Sequence, residues 1–169
     1  MANTKRSRRW WTVLLTLAMS LGFATLNAPS ASAAYVIGTD FLRNWETGLC
    51  LNNADAGRIN TQPCQSGNDR QKWSVIYQYH AGYDFVQIVN VATNQCLVWS
   101  YNGSLYAGDC NAGTWDERLW RGVGSGWNMV ELTDGGINDR YQCLDSDRNG
   151  WAYLLECNGG GFQKWRLGY

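Results

Sequence analysis

Residues 143–165 read CLDSDRNGWAYLLECNGGGFQKW, and two looser copies of this stretch lie upstream. In each copy a cysteine is followed 14 positions later by a second: Cys50 and Cys64, Cys96 and Cys110, Cys143 and Cys157. A tryptophan closes each copy, at Trp73, Trp120 and Trp165, and Gln71-Lys72-Trp73 returns as Gln163-Lys164-Trp165. First cysteines stand 46 and then 47 residues apart, which makes this an internal repeat.

Working outward, the repeats span about 41–78, 85–125 and 129–169. Each contains about four short strand signals, such as Phe85 to Leu97 and Leu105 to Cys110 in the second. That predicts about twelve strands at the spacing of an all-β barrel or sandwich. With 19 glycines and two prolines, the chain has the punctuation of tight turns, and no helical period of useful length interrupts it. A unit of ~45 residues cannot bury its apolar face alone, so three units must share one core. Three blades are too few for a propeller, which takes four or more. The expected fold is therefore all-β, a β-trefoil of three repeats.

Six cysteines allow fifteen pairings in principle. Pairing within each repeat is the scheme that respects the equal spacing, giving one disulfide per repeat. Each bridge closes a loop of about 15 residues, worth roughly 3 kcal/mol by chain entropy. A zinc site is disfavoured because no C-x-x-C pair exists and the single His80 falls outside the repeat pattern. The cysteines are read as structural, with no metal or cofactor implied. The recurring tryptophans are read as core side chains near a pseudo-threefold axis. Gln71 and Gln163, placed on the same strand face as the tryptophans, are expected to tie strands to loops through their amides.

Residues 1–33 read as a secretory signal peptide: Lys5, Arg6, Arg8 and Arg9, an apolar Val13 to Phe23, and the small-residue cleavage site Ala31-Ser32-Ala33. The apolar run falls short of the ~20 residues a membrane span needs, so no membrane insertion is expected. The folded domain is expected over 34–169 of a secreted, extracellular protein. The leader holds four of the chain's 14 basic residues and none of its 14 acidic ones, leaving a net charge of −4 on the domain. An acidic surface without a basic run argues against nucleic acid and against anionic membrane surfaces.

The Gln-x-Trp tripeptide closing cysteine-paired repeats resembles the ricin B-type lectins, also called family 13 carbohydrate-binding modules, over residues 41–169. Leu144-Asp145-Ser146, Asn149-Gly150, Tyr153 and Cys157-Asn158-Gly159-Gly160 with Gln163-Lys164-Trp165 are similar to the repeats of actinohivin-like mannose-binding lectins. Earlier echoes are Leu42-Arg43-Asn44-Trp45-Glu46-Thr47-Gly48, Asn90-Val91-Ala92-Thr93, and Asn102-Gly103-Ser104-Leu105-Tyr106 with Asn111-Ala112-Gly113. The resemblance implies up to three sugar pockets, each built on an Asp after the first cysteine. In the third repeat it assigns Asp145 as hydroxyl acceptor, Tyr153 as ring and hydroxyl, Leu155 as apolar floor and Asn158 as amide partner, with Gln163 as a brace. Such a set suits a pyranose: a carboxylate accepts two hydroxyls, a carboxamide gives and takes, and a ring covers the C–H face. Trp151, near Tyr153, is a candidate to pack or to line a rim.

The other repeats depart from this pattern. In the first, Asn52, Asn60, Gln62 and Gln65 replace Asp, Tyr, Leu and Asn, leaving a weaker candidate pocket without charge or ring. In the second, Val98 and Gly108 replace Asp and Leu, although Tyr106 and Asn111 match. Blander readings also fit the third repeat. Asp145 begins a turn-like run in which an Asp often caps its own backbone. Tyr153 and Leu155 alternate as barrel residues do, and Asn158 to Gly161 could form a simple turn.

No G-x-S-x-G, no H-E-x-x-H and no free cysteine is present, so no enzyme is expected. The leading expectation is a lectin for mannose-type or related neutral hexoses, with glycans or glycoproteins as partners. The competing one is a protein-interaction or inhibitor module with decayed sugar pockets and a secreted protein partner. Tyr77, Tyr79, Tyr83, Trp99, Trp115 and Trp127 are its candidate anchors.

Overall fold

The computed structural model describes residues 34–112, 114, 116–135 and 141–169. The expected leader, 1–33, and Trp115 lie outside them. All described residues fall within one compact unit, Ala31–Tyr169. None of their helices is long and apolar enough to cross a membrane.

The strand period of two is visible in the burial of Lys72 to Tyr77, where Trp73 and Val75 point inward and their neighbours face out. The first repeat comprises β1 (Tyr35–Asn44), β2 (Cys50–Asn53), β3 (Ile59–Gln62) and β4 (Lys72–His80). The second comprises β5 (Tyr83–Asn90), β6 (Gln95–Trp99), β7 (Leu105–Asp109) and β8 (Arg121–Gly126). The third comprises β9 (Met129–Thr133), β10 (Gln142–Ser146), β11 (Ala152–Glu156) and β12 (Lys164–Leu167). These twelve strands form one antiparallel sheet.

The outer strands of the repeats make a barrel. β1 pairs with β4 and β12, β4 with β5, and β9 with β8 and β12. The ring closes where Val86 and Trp120 exchange both backbone hydrogen bonds, at 2.8 and 2.9 Å. Closure removes the edges that would otherwise template aggregation. The inner strands form three hairpins, β2–β3, β6–β7 and β10–β11. These hairpins meet one another: Arg58 bridges to Tyr106 and Asn60 to Trp151. Two glycines permit the close approach. Gly57 (φ +74°) and Gly150 (φ +89°) would each place a Cβ against a neighbouring hairpin's carbonyl, 2.6 Å from Ala107 O and 2.7 Å from Thr61 O. Any side chain there meets strain and collision together.

Trp73, Trp120 and Trp165 are fully buried in the shared core, with Leu42, Leu51, Ile88, Leu97, Leu132 and Leu144 around them. Each indole Nε1 donates to the carbonyl of the leucine after its own repeat's first cysteine: Leu51, Leu97 and Leu144, at 2.9 Å in every case. Burying one such ring contributes about 4–6 kcal/mol of gross hydrophobic stabilisation, and the hydrogen bond removes the penalty of a dry N–H. The three disulfides are those within the repeats, Cys50–Cys64, Cys96–Cys110 and Cys143–Cys157, with Cα–Cα separations of 5.1, 5.0 and 5.0 Å.

The residue two before each tryptophan sits in a 3₁₀ turn rather than on the strand: Asp69–Gln71, Asp116–Arg118 and Gly161–Gln163. Its amide reaches back around the second cysteine. Gln71 Oε1 accepts from Gln65 N (2.8 Å) and its Nε2 donates to Pro63 O (3.0 Å). Gln163 repeats the pattern with Asn158 N (2.7 Å) and Glu156 O (3.0 Å). In the second repeat Arg118 takes the place, and its guanidinium donates to Cys110 O.

A further tie joins successive repeats. Asn44 Nδ2 donates to Phe162 O at 2.6 Å, and Asn90 Nδ2 donates to Arg70 O at 2.9 Å. Thr47 and Thr93 hydroxyls donate to the other end of each amide, at 3.2 and 3.3 Å. The signal in the sequence is a recurring Asn-x-x-Thr. The third repeat has Asp134 instead, whose Oδ1 accepts from Gln142 N at 3.2 Å.

Candidate functional site

The antiparallel register of the third hairpin sets Asp145 directly opposite Tyr153 and Cys143 opposite Leu155. Asp145, Tyr153 and Leu155 therefore share one face, and the disulfide brings Asn158 to the same end of the hairpin. The four residues differ in depth. Asp145 is only 3% exposed, Tyr153 is half-buried, Leu155 is 45% exposed and Asn158 is exposed. The arrangement sets a buried carboxylate opposite a half-buried phenol, with an exposed apolar side chain further along the same face.

Asp145 Oδ1 is buried and accepts no hydrogen bond. Leaving an acceptor dry costs about 1–3 kcal/mol, so the carboxylate is held at a cost. Burial pushes its carboxyl above the ordinary value of 3.8; the nearby Gln163 amide, Ser146 N–H and Tyr153 hydroxyl oppose that rise. Burial, followed by the Asp145 charge, raises the Tyr153 phenol above its ordinary 10.0. The phenol thus stays protonated at neutral pH and remains a donor.

The turn-capping role belongs to Asp147. Its Oδ1 accepts from Asn149 N and Trp151 N, both at 2.9 Å, and these backbone donors, Trp151 first, hold its carboxyl below 3.8. Asp145 is left without that duty. Asn158 Oδ1 accepts from Gly160 N at 2.8 Å, so the Asn158 to Gly161 stretch is a turn, and the residue is exposed. Gln163 is fully buried with both ends of its amide engaged. It positions Asn158 and presents no surface to a ligand.

The same face of the first hairpin is already satisfied from within. Asn52, 5% exposed, stands opposite Asn60 and donates to its Oδ1 at 2.9 Å. Gln65 Oε1 accepts from Asn68 Nδ2 at 3.1 Å. In the second hairpin Val98 stands opposite Tyr106, and the Tyr106 ring lies over Gly108, where a Cβ would be 3.0 Å from its Cε2. The ring occupies the space that Leu155 fills in the third repeat.

Two concavities lie away from the Asp145 face, and the first of them reaches Asn60 of the first hairpin. One, of 430 Å³, runs between the hairpin tips and is lined by Arg58, Asn60, Leu105, Asn149 and Trp151. The other, of 230 Å³, is lined by Arg43, Asn44, Trp45 and Arg166. Trp151 is 68% exposed and forms a wall of the first.

Among the expected aromatic anchors, Tyr79 and Tyr83 are 56% and 58% exposed. Tyr77 is half-buried and stacks on Tyr35 with centroids 4.9 Å apart. Trp127 packs against the core. Trp99 is not an anchor: it is 2% exposed, and its Nε1 donates to Leu119 O at 3.0 Å. His80 Nε2 lies 3.4 Å from Asp116 Oδ1.

No protein-family model matches the chain, and no curated protein matches it in sequence. Solved structures do. The designed 3-fold symmetric protein ThreeFoil superposes with a TM-score of 0.60 at 21% identity, over 76% of this chain and 96% of that one. The fold is a β-trefoil. A GlcNAcα1-4Gal-releasing endo-β-galactosidase from Clostridium perfringens superposes with a TM-score of 0.63 at 17% identity over 78% of this chain. The trefoil chain spans 32% of that enzyme. At these identities the likeness speaks for the fold alone.

Proposed function

We propose that this chain is a secreted carbohydrate-binding lectin of the ricin B type. It recognises mannose-type or related neutral hexose chains through the third repeat and performs no catalysis. The observation that carries the proposal is Asp145: a buried carboxylate with an unbonded oxygen, facing a protonated Tyr153 and flanked by Leu155 and Asn158. A dry acceptor is unfavourable in the free protein, whereas a sugar hydroxyl would satisfy it. Secretion is supported by three disulfides, which persist in oxidising compartments. The likeness of the third repeat to actinohivin-like lectins supplies the sugar class, and the endo-β-galactosidase shows that a protein acting on glycans contains this fold.

The test is a glycan array probed with residues 34–169 and with the Asp145→Ala variant. Binding to neutral hexose glycans, lost in the variant, is expected. Unchanged binding in the variant, or no glycan bound at all, would overturn the proposed site.

A second reading rests on Tyr35, Val36, Tyr79 and Tyr83, all more than half exposed. These residues lie on neighbouring strands β1, β4 and β5 and supply anchors for a protein partner. Its mark is a stoichiometric protein complex recovered from culture medium that free sugars do not dissociate and that Tyr79→Ala weakens.

A further inference from the structure

The seam between β1 and β12 carries a constellation that the hairpin faces do not use. In its antiparallel register Arg43 stands directly opposite Arg166. Like charges directly opposite one another destabilise a sheet, and both side chains are half-buried, where screening is weaker. Ion pairs among the described residues include Arg70–Asp55, Lys72–Asp69, His80–Asp116 and Arg148–Glu46. Neither arginine of the seam belongs to one. Of the two acidic residues three positions from Arg43, Asp40 accepts from Phe41 N at 2.7 Å through its Oδ1, and Glu46 gives its Oε1 to Arg148 at 3.1 Å.

The pair is also oriented. Arg43 Nε donates to Gly48 O at 2.9 Å, which fixes the guanidinium plane and leaves its Nη groups for another partner. Gly48 keeps the approach open, since a Cβ there would lie 3.1 Å from Arg43 Nη2. Trp45, 52% exposed, stands beside the pair, and Arg43, Asn44, Trp45 and Arg166 together line a concavity of 230 Å³. In a domain of net charge −4, two cations are thus held together with no acidic partner and an exposed indole at their side.

We infer that this concavity is an oxyanion subsite for an acidic saccharide. The two guanidiniums clamp a sulfate or carboxylate group, and Trp45 covers the ring that carries it. Arginine's planar fork suits such an oxyanion through paired charge-assisted hydrogen bonds, and a bound anion relieves the repulsion across the strands. The subsite is independent of the Asp145 pocket and does not require that pocket to bind sugar.

The test is an NMR titration of isotope-labelled residues 34–169 that follows the Trp45 indole N–H and the Nε–H of Arg43 and Arg166. The probes are a sulfated hexasaccharide, oligogalacturonate and neutral oligomannose. Saturable shifts of all three resonances with an acidic probe, absent with oligomannose, are expected. The two acidic arms distinguish sulfate from carboxylate. Arg166→Gln and Arg43→Gln should each weaken binding of the acidic probe at least tenfold, with Arg166→Lys recovering part of it. Arg166→Gln should melt no lower than the parent, because it removes one member of a repelling pair. No shift at the three resonances would overturn the inference. Equal weakening by Arg58→Gln, a cation at the tip of the β2–β3 hairpin, would do the same by reducing the effect to general charge attraction.

Discussion

Replacing Gln163 by Leu is expected to cost as much stability as replacing Gln71 by Leu, while only the first abolishes glycan binding. Each glutamine is fully buried and serves one backbone N–H and one backbone carbonyl at distances of 2.7–3.0 Å. Leucine has nearly the same volume, so no large cavity forms, and the cost falls on the two deserted backbone groups. A buried group left unpaired costs about 1–3 kcal/mol. Two give about 2–6 kcal/mol, and water reaching the exposed side of Asn158 or Gln65 brings the expectation to about 2–4 kcal/mol. Urea unfolding followed by tryptophan emission measures this directly, and titration with oligomannose measures binding. The difference between the variants lies in what each brace holds: Gln163 holds Asn158 at the candidate pocket, whereas Gln71 holds Gln65, whose own amide is engaged with Asn68. A stability loss below about 0.5 kcal/mol in either variant, within the range of ordinary surface changes, would refute the brace. Equal loss of binding in both would refute the assignment of the pocket to the third repeat.

Asp145→Asn should lose glycan binding and gain thermal stability at neutral pH. The folded protein holds the Asp145 proton more tightly than the unfolded chain, so ionisation costs stability as pH rises from 3.8 through the raised value. The variant's advantage, read from melting curves, should therefore vanish at low pH and grow as pH rises above 3.8. Removing the Cys143–Cys157 bridge by double Ala substitution should cost about 3 kcal/mol, as should removing Cys50–Cys64, because the loops are of equal length. Urea unfolding checks both. Trp73→Phe, Trp120→Phe and Trp165→Phe should each cost about 1–3 kcal/mol by leaving a leucine carbonyl dry in the core. A spread wider than about 1 kcal/mol among the three, by the same measurement, would show that their equal geometry does not mean equal energy.

The trefoil, the disulfides and the core tryptophans are legible in the sequence because spacing alone carries them: equal distances recur, and the core must close. Chemistry inside the repeats is harder to read. Asp145 and Asp147 look alike in a turn-like run, and only the register shows that Asp147 caps the turn while Asp145 faces Tyr153. Arg118 defeats the Gln-x-Trp pattern because a guanidinium supplies the donor half of the carboxamide's work. Trp99 looked like an anchor because its counterparts, Asn53 and Ser146, are small and polar. Those two are nevertheless fully buried, so the position is an inward one whatever occupies it. The Asn44 and Asn90 ties stood in the sequence as a repeated Asn-x-x-Thr, but their carbonyl partners belong to the neighbouring repeat and only the fold reveals them.

The braces around the second cysteines persist in all three repeats, including the two whose hairpin faces are filled by their own side chains. Support and recognition are thus carried by separate residues. Changes on a hairpin face leave the braces, the disulfides and the core tryptophans in place, so on the proposed reading one pocket can be lost or regained without the others. On the proposed reading, the number of glycans bound depends on a few side chains per hairpin and not on the architecture. A library varying only positions 52, 60, 62 and 65, or 98, 106, 108 and 111, explores valencies from one to three on a fixed frame.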